Sequence, residues 1–264
     1  MKPIIVIFMM LALSLTIYSE VIELTFAYED KEQPPYYMGN SNEVLNENPG
    51  VAVEMVKLLE TRIYGIEIDF VRYPWKRCLA SLGENKVDGI FNSSYKQDRL
   101  EVGWYPTVDN KHDGEPNPDK RICDISYSLY TLKGTVIPWD GENFNNFTGK
   151  ISAPLGYSIV DDLKKKGVNI EESPSSINNI DKVVNLRVEA TALQDVTADN
   201  IIASSPDKYK DIVKISPALT SKHYYVMLSD KLVEENPELA KKIWDELEKI
   251  REEKFVELSK KYND

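Results

Sequence analysis

Lys86–Pro106 reads KVDGIFNSSYKQDRLEVGWYP. Val87–Phe91 is a short apolar run of β-forming residues that breaks at once into the polar triplet Asn92-Ser93-Ser94, with Arg99 a few residues on. In an open α/β sheet, ligands bind beyond the carboxyl ends of the strands, so small polar side chains and a cation after a buried strand mark a loop to watch. The segments before it supply such a sheet. Val21–Tyr28 is rich in β-formers and feeds the polar loop EDKEQPPYYMGN over Glu29–Asn40. Pro49-Gly50 then precedes Val53, Val56, Leu59 and Ile63 at helical spacing. Ile66–Arg72 reads as a strand, and Pro74 opens a helix carrying Trp75, Cys78, Leu79 and Leu82, with Gly83 as its stop. Strand, helix, strand, helix, strand predicts a parallel sheet with crossover helices.

Downstream, Asp109–Lys120 reads as an exposed loop, and Ser126–Lys133 returns as a strand. A second alternation follows. It has a strand at Lys150–Ala153, a helix at about Ser158–Lys166, a short strand near Val168, a helix at about Ile177–Leu186 and a strand at Glu189–Gln194. Val213–Ser216 and His223–Leu228 are read as two further strands. Asn236-Pro237 begins an amphipathic terminal helix carrying Leu239, Ile243, Leu247, Ile250 and Leu258. Two α/β units in tandem with a helical tail predict a discontinuous first lobe, 20–133 plus 223–264, around a second lobe, 134–222, with the two crossing segments serving as a hinge.

The amino terminus carries the layout of an export signal. Lys2 precedes an apolar run from Pro3 to Ile17, which at about 15 residues is shorter than the roughly 20 of a membrane-spanning helix, and Ser19 is the expected cleavage point. No cysteine is near that junction to accept a lipid. Residues 1–19 are therefore read as a signal peptide, and the mature chain as soluble and periplasmic.

With 32 Lys and Arg against 43 Asp and Glu, the chain has a formal charge of −11. With no basic stripe to offset it, that surface disfavours nucleic acid and anionic membranes as partners. Cys78 and Cys123 are its two cysteines, and an exported protein permits a bridge between them; burial of Cys78 on its helix is the alternative. His112 and His223 have no spaced His or Cys companion, so no metal site is expected, and nothing calls for a cofactor.

Four strand-end loops hold candidate ligand groups: Tyr28, Glu29, Pro35, Tyr36 and Tyr37; Asn92, Ser93, Ser94 and Arg99; Gly156, Tyr157 and Ser158 at a helix start; and Gln194-Asp195. Trp75 with Arg77 and Cys78 either lines the same cleft or belongs to the core.

With its export signal, PPYY loop, KVDGIFNSSYKQDRLEVGWYP, GKISAPLGYSIVDDLKKKG and EATALQDVTADN, the chain resembles the type 2 periplasmic solute-binding proteins of family 3, which serve polar amino acid ABC transporters. The resemblance runs from Ile22 to about Lys261. It implies a two-lobed α/β fold, each lobe a mixed, mostly parallel sheet flanked by helices. It also implies a monomer that closes on an amino acid or similar zwitterion and presents it to a membrane permease. Carried over by position, Arg99 pairs with the ligand α-carboxylate, preceded by hydroxyl-bearing Ser93 and Ser94 and by Asn92. Tyr157 and Ser158 open the second-lobe helix, Asp195 takes the α-ammonium, and Tyr36 or Tyr37 supplies an aromatic face. Three departures stand out: the stretch from Asp88 to Arg99 is one residue shorter than in common amino acid binders, which leaves as an alternative that Arg99 is a structural residue tying the following loop; Tyr157 replaces a smaller residue; and the Asp109–Lys120 loop is longer than usual.

The resemblance also admits other uses of the scaffold. A few relatives are periplasmic dehydratases acting on prephenate-like cyclic acids, and others are ligand-sensing subunits of membrane receptors. Against an enzyme stand the lack of a Gly-x-Ser-x-Gly elbow and of a histidine beside a nucleophile.

Overall fold

A computed structural model describes residues 21–262; the export signal expected over residues 1–19 lies outside them. The first unit runs β1 (Ile22–Glu29), α1 (Val51–Lys57), α2 (Leu59–Arg62), β2 (Ile66–Tyr73), α3 (Trp75–Gly83) and β3 (Gly89–Ser94), followed by the long strand β4 (Cys123–Leu132). The second runs β5 (Lys150–Pro154), α4 (Ser158–Lys165), β6 (Asn169–Ser173), α5 (Ser176–Val184), β7 (Ala190–Gln194), α6 (Asp195–Ser204) and α7 (Pro206–Tyr209). The chain returns through β8 (Ile212–Leu228) and ends in α8 (Asp230–Glu235) and α9 (Pro237–Ser259).

All eight strands form one sheet in the order β2-β1-β3-β8-β4-β7-β5-β6. Each end is a parallel trio: β1 lies between β2 and β3, and β5 between β6 and β7. This is the arrangement that alternating strands and crossover helices predict. The trios are joined by β4 and β8, antiparallel partners that run through both halves of the molecule. β8 meets β3 near its carboxyl end, and β4 meets β7 near its own.

Val213–Ser216 and His223–Leu228 thus belong to one strand rather than two. The sequence reading breaks at Pro217, which has no N–H to give a ladder. The structure accommodates it in a bulge: pairing passes from Leu129↔Ile215 to Tyr127↔Thr220, so four residues of β8 face Ser128 alone. Helices α6, α7 and α8 lie where the sequence reading named none. α6 spreads its apolar residues too evenly to show a periodic face, and α7 and α8 are only a turn or so long.

The terminal helix α9 opens on Pro237 and buries Ala240, Ile243, Trp244, Leu247 and Ile250 on one face, packed on α1 of the first unit. The loop between β1 and α1 is held by the buried Arg72, whose guanidinium donates to the carbonyls of Glu29, Met38, Gly39 and Glu43. Gly50 closes that loop with φ 117°, and a Cβ there would meet the Tyr36 carbonyl oxygen at 2.4 Å. Both devices fix the chain that follows β1, where the site begins.

Cys78 and Cys123 are free, buried thiols. Cys78 Sγ lies 3.5 Å from the Tyr73 carbonyl on the core face of α3, and Cys123 Sγ 3.9 Å from Asn92 Oδ1. The bridge left open by the sequence is not formed, and Cys78 is buried on its helix, the alternative reading. No helix among the described residues is long and apolar enough to cross a membrane.

Candidate ligand-binding site

The carboxyl ends of β1, β3, β5 and β7 converge on one cavity between the halves of the molecule. With the halves drawn together it leaves only about 10 Å³ open to a water-sized sphere, room for about one water, so a ligand enters only as the halves part. β1 contributes Glu29 and, just beyond, Gln33 and Tyr37; β3 contributes Asn92 and Ser94, with Arg99 on the 3-10 turn that follows. Tyr157 and Ser158 come from the start of α4 and Gln194 from the end of β7, while Trp75 and Tyr224 complete the wall.

Local backbone geometry explains how these side chains are aimed. β3 carries an irregularity between Ile90 and Ser93, and within it Asn92 adopts φ 56°, a left-handed conformation that asparagine tolerates. The kink turns the Asn92 carboxamide into the cavity, where its Nδ2 is buried without a partner.

Arg99, 5% exposed, donates from Nη1 to the Ser94 carbonyl at 2.6 Å and from Nη2 to the Gly156 carbonyl at 3.2 Å. Its guanidinium carbon lies 5.4 Å from the centre of the Trp75 ring, a cation–π distance. Those partners are carbonyls, hydroxyls and an aromatic face. None carries a negative charge, so the guanidinium is buried without a counter-ion among the described residues. Lys222 adds a second positive group nearby: its Nζ donates to Ser158 Oγ at 2.8 Å and is paired with Asp162.

Glu29 is the converse case. At 5% exposure its Oε2 accepts from Gln33 Nε2 at 2.6 Å, Tyr37 OH at 3.2 Å and Tyr157 OH at 2.5 Å. No cation among the described residues pairs with it. Burial pushes its pKa from an ordinary 4.5 up to about 7, against the three hydrogen bonds, which pull it down.

Contacts across the cavity close the halves on each other. Tyr157 reaches Glu29, Ser94 Oγ donates to Ser158 Oγ at 2.8 Å, Thr197 Oγ1 donates to the Pro34 carbonyl at 3.3 Å, and Lys96 pairs with Asp161 at the rim. The fold is therefore two-lobed and closed, with the cavity at the seam.

Solved structures share this architecture. An ancestral arginine-binding protein bound to arginine superposes with a TM-score of 0.70 at 15% identity, over 92% of this chain and 98% of that one. An arginine transport-system periplasmic binding protein from Legionella pneumophila superposes at 0.67 and 16% identity, over 91% and 99%. This chain has the periplasmic-binding-protein fold. An ancestral amino acid-binding protein described as a precursor of cyclohexadienyl dehydratase shares it as well, at 0.66 and 14% identity over 92% and 95%. No protein-family model and no curated protein matches the sequence.

In this periplasmic-binding-protein fold, Tyr37, Asn92, Ser94, Arg99, Tyr157 and Ser158 are brought together around the cavity, as the sequence reading groups them. Three others are placed differently. Tyr36 is buried beside it, its hydroxyl 3.4 Å from the Asp124 carbonyl. Ser93 turns away to Tyr105 OH and Met227 Sδ, although Arg99 Nη1 still reaches its Oγ at 3.3 Å. Asp195 opens α6 outside the cavity wall and pairs with Lys214 at 3.1 Å.

Glu29, Gln33, Trp75, Gln194 and Tyr224 line the cavity without being in the sequence-derived set. Glu29 stands among the groups at its strand end but carries no assigned role there, and Trp75 divides between core and cleft on sequence alone. For Gln33 and Tyr224 the sequence holds no signal short of the fold.

Proposed function

We propose that this chain is an extracytoplasmic binding protein that encloses a small zwitterion, an amino acid or close analogue, between two lobes and hands it to a membrane permease as a monomer. The observation that carries the reading is one cavity holding a buried guanidinium with no anion, Arg99, and a buried carboxylate with no cation, Glu29. A buried charge left unpaired is costly, and a molecule with a carboxylate at one end and an ammonium at the other supplies both partners at once. Asn92 Nδ2, Ser94 and Ser158 extend the donor side toward a carboxylate. Aromatic walls from Trp75, Tyr37, Tyr157 and Tyr224 exclude water and pack against a short side chain.

Lobe 1 is residues 20–133 with 223–264, lobe 2 is 134–222, and β4 with β8 forms the hinge. The export signal over residues 1–19 delivers the protein outside the cytoplasm. A thermal-shift screen of amino acids tests the reading, because a ligand at 100 times its Kd stabilises by about 2.7 kcal/mol. The expected result is a shift with at least one amino acid and none with its decarboxylated or deaminated analogue. No shift with any amino acid sinks the reading.

The buried Glu29 also favours one second reading. A carboxyl group titrating near pH 7 suits general acid–base catalysis, which the dehydratase alternative requires. Incubation with prephenate or arogenate decides it, since turnover would make the protein an enzyme.

A further inference from the structure

We propose that Glu29 and Gln33 together form the seat for the ligand's ammonium group, in place of Asp195, and that this seat selects for an ammonium bearing N–H donors. The inference rests on the zwitterion reading above and deepens it.

The three side-chain hydrogen bonds to the Glu29 carboxylate all fall on Oε2; Oε1 accepts none among the described residues, and Glu29 lines the cavity. Gln33, 3% exposed, spends its Nε2 on Glu29 Oε2, which leaves its own Oε1 buried with no partner. Two adjacent acceptors thus line the cavity unused. The three donors on Oε2 hold the carboxylate in one orientation, so that Oε1 is presented and Oε2 is not. Tyr37 and Tyr157 are positioning residues in this sense, one from each lobe.

Asp195 does not offer the same service. Its Oδ2 is paired with Lys214, and its Oδ1, though buried without a partner, belongs to a residue at the start of α6 that is not part of the cavity wall. The end of β7 presents Gln194 to the cavity instead, with Nε2 3.3 Å from both Tyr127 OH and Tyr224 OH.

Two carbonyl-type acceptors satisfy N–H groups and gain little from methyl groups. A fully methylated ammonium is recognised by open aromatic faces, and the Trp75 face here is engaged by Arg99. The groups facing the carboxylate are Gln33, Tyr37 and Tyr157, with Asp30 next in the chain and the Cys78 thiol nearby; Arg72 holds the Glu29 carbonyl only. A cation arriving on Oε1 stabilises the ionised form of a carboxyl that burial has pushed up to about 7, so binding at pH 7 expels a proton.

The test is calorimetry with the standard amino acids and the N-trimethylated form of whichever binds, on wild type, Glu29→Gln, Gln33→Met and Asp195→Asn. The charge-assisted bond sets the expected loss in Glu29→Gln at about 10–100-fold, with a smaller loss in Gln33→Met and none in Asp195→Asn. The trimethylated form binds wild type far more weakly than the parent. Wild-type heats at pH 7 vary with the buffer's ionisation enthalpy, and those of Glu29→Gln do not, a signature a merely structural residue would not give. Should Glu29→Gln not fold, the Gln33→Met loss and the wild-type proton release carry the test alone. Binding that survives in Glu29→Gln and falls in Asp195→Asn, equal binding of the trimethylated form, or no proton release overturns the assignment and leaves the zwitterion reading standing. Failure of every amino acid to bind wild type removes both.

Discussion

Glu29 and Asp195 are both acids at the carboxyl end of a parallel strand, β1 at the centre of one trio and β7 at the inner edge of the other. Their surroundings differ in one respect that decides their chemistry. Asp195 has a lysine from β8 as counter-ion and stands at a helix N-terminus that favours its negative charge. Glu29 has three neutral donors and no cation, and burial drives its pKa to about 7. A strand-end acid whose charge the protein already neutralises is a structural group. One left unneutralised, opposite an equally unneutralised Arg99, is a group waiting for a partner.

The largest expected effect comes from the other end of that dipole. Removing Arg99 takes away the only cation on the donor side without an ion-pair partner among the described residues. Arg99→Ala should therefore weaken amino acid binding by about 2–5 kcal/mol, the range for truncating one partner of a buried charge pair. Calorimetry on the wild-type responder measures it, and a change under twofold would break the comparison at its cationic end.

Next in size is the pH dependence of stability. A carboxyl whose pKa is raised in the folded state binds its proton more tightly there, so its contribution is full below pH 4.5 and is lost as pH rises to about 7. At ~1.4 kcal/mol per pH unit the span is about 3 kcal/mol at most. Thermal melts of wild type and Glu29→Gln from pH 4 to 8 should show wild type losing ground across that window and level above it. Parallel curves would mean that Glu29 titrates like a solvated acid.

Smaller again is Tyr157→Phe, which deletes one buried bond between the lobes. About 1–2 kcal/mol of stability should go, with Glu29 still held by Gln33 and Tyr37. Asp195→Asn should cost least, under ~1 kcal/mol, because its partner Lys214 is partly exposed and keeps Asp199 at 2.8 Å. A larger loss for Asp195→Asn than for Tyr157→Phe would reverse the ranking of the two lobes' acids.

The fold was legible because its signals are local and periodic. Strand ends and helix stops from Ile22 to Gln194 fall within a few residues of their sequence-derived positions, since each is marked by a proline, a glycine or a change of hydrophobic period. Pro217 misled for the same reason: a local breaker says nothing of a partner strand able to absorb a bulge. That Arg99, Ser94, Tyr157 and Ser158 gather around one cavity was legible because they follow strands whose ends had to meet. The different surroundings of Asp195 and Glu29 were not, because they depend on Lys214 reaching Asp195 from β8 and on Tyr157 crossing to Glu29, contacts set by sheet order rather than by neighbours in sequence.

The most direct test of a cavity built for opposite charges is a crystal structure with the amino acid giving the largest thermal shift. The expected complex has the ligand carboxylate on the Arg99 guanidinium and its ammonium on Glu29 Oε1 and Gln33 Oε1, each at hydrogen-bond distance, with Asp195 still paired to Lys214. An ammonium bound to Asp195, or a ligand seated away from the seam between the lobes, would contradict it.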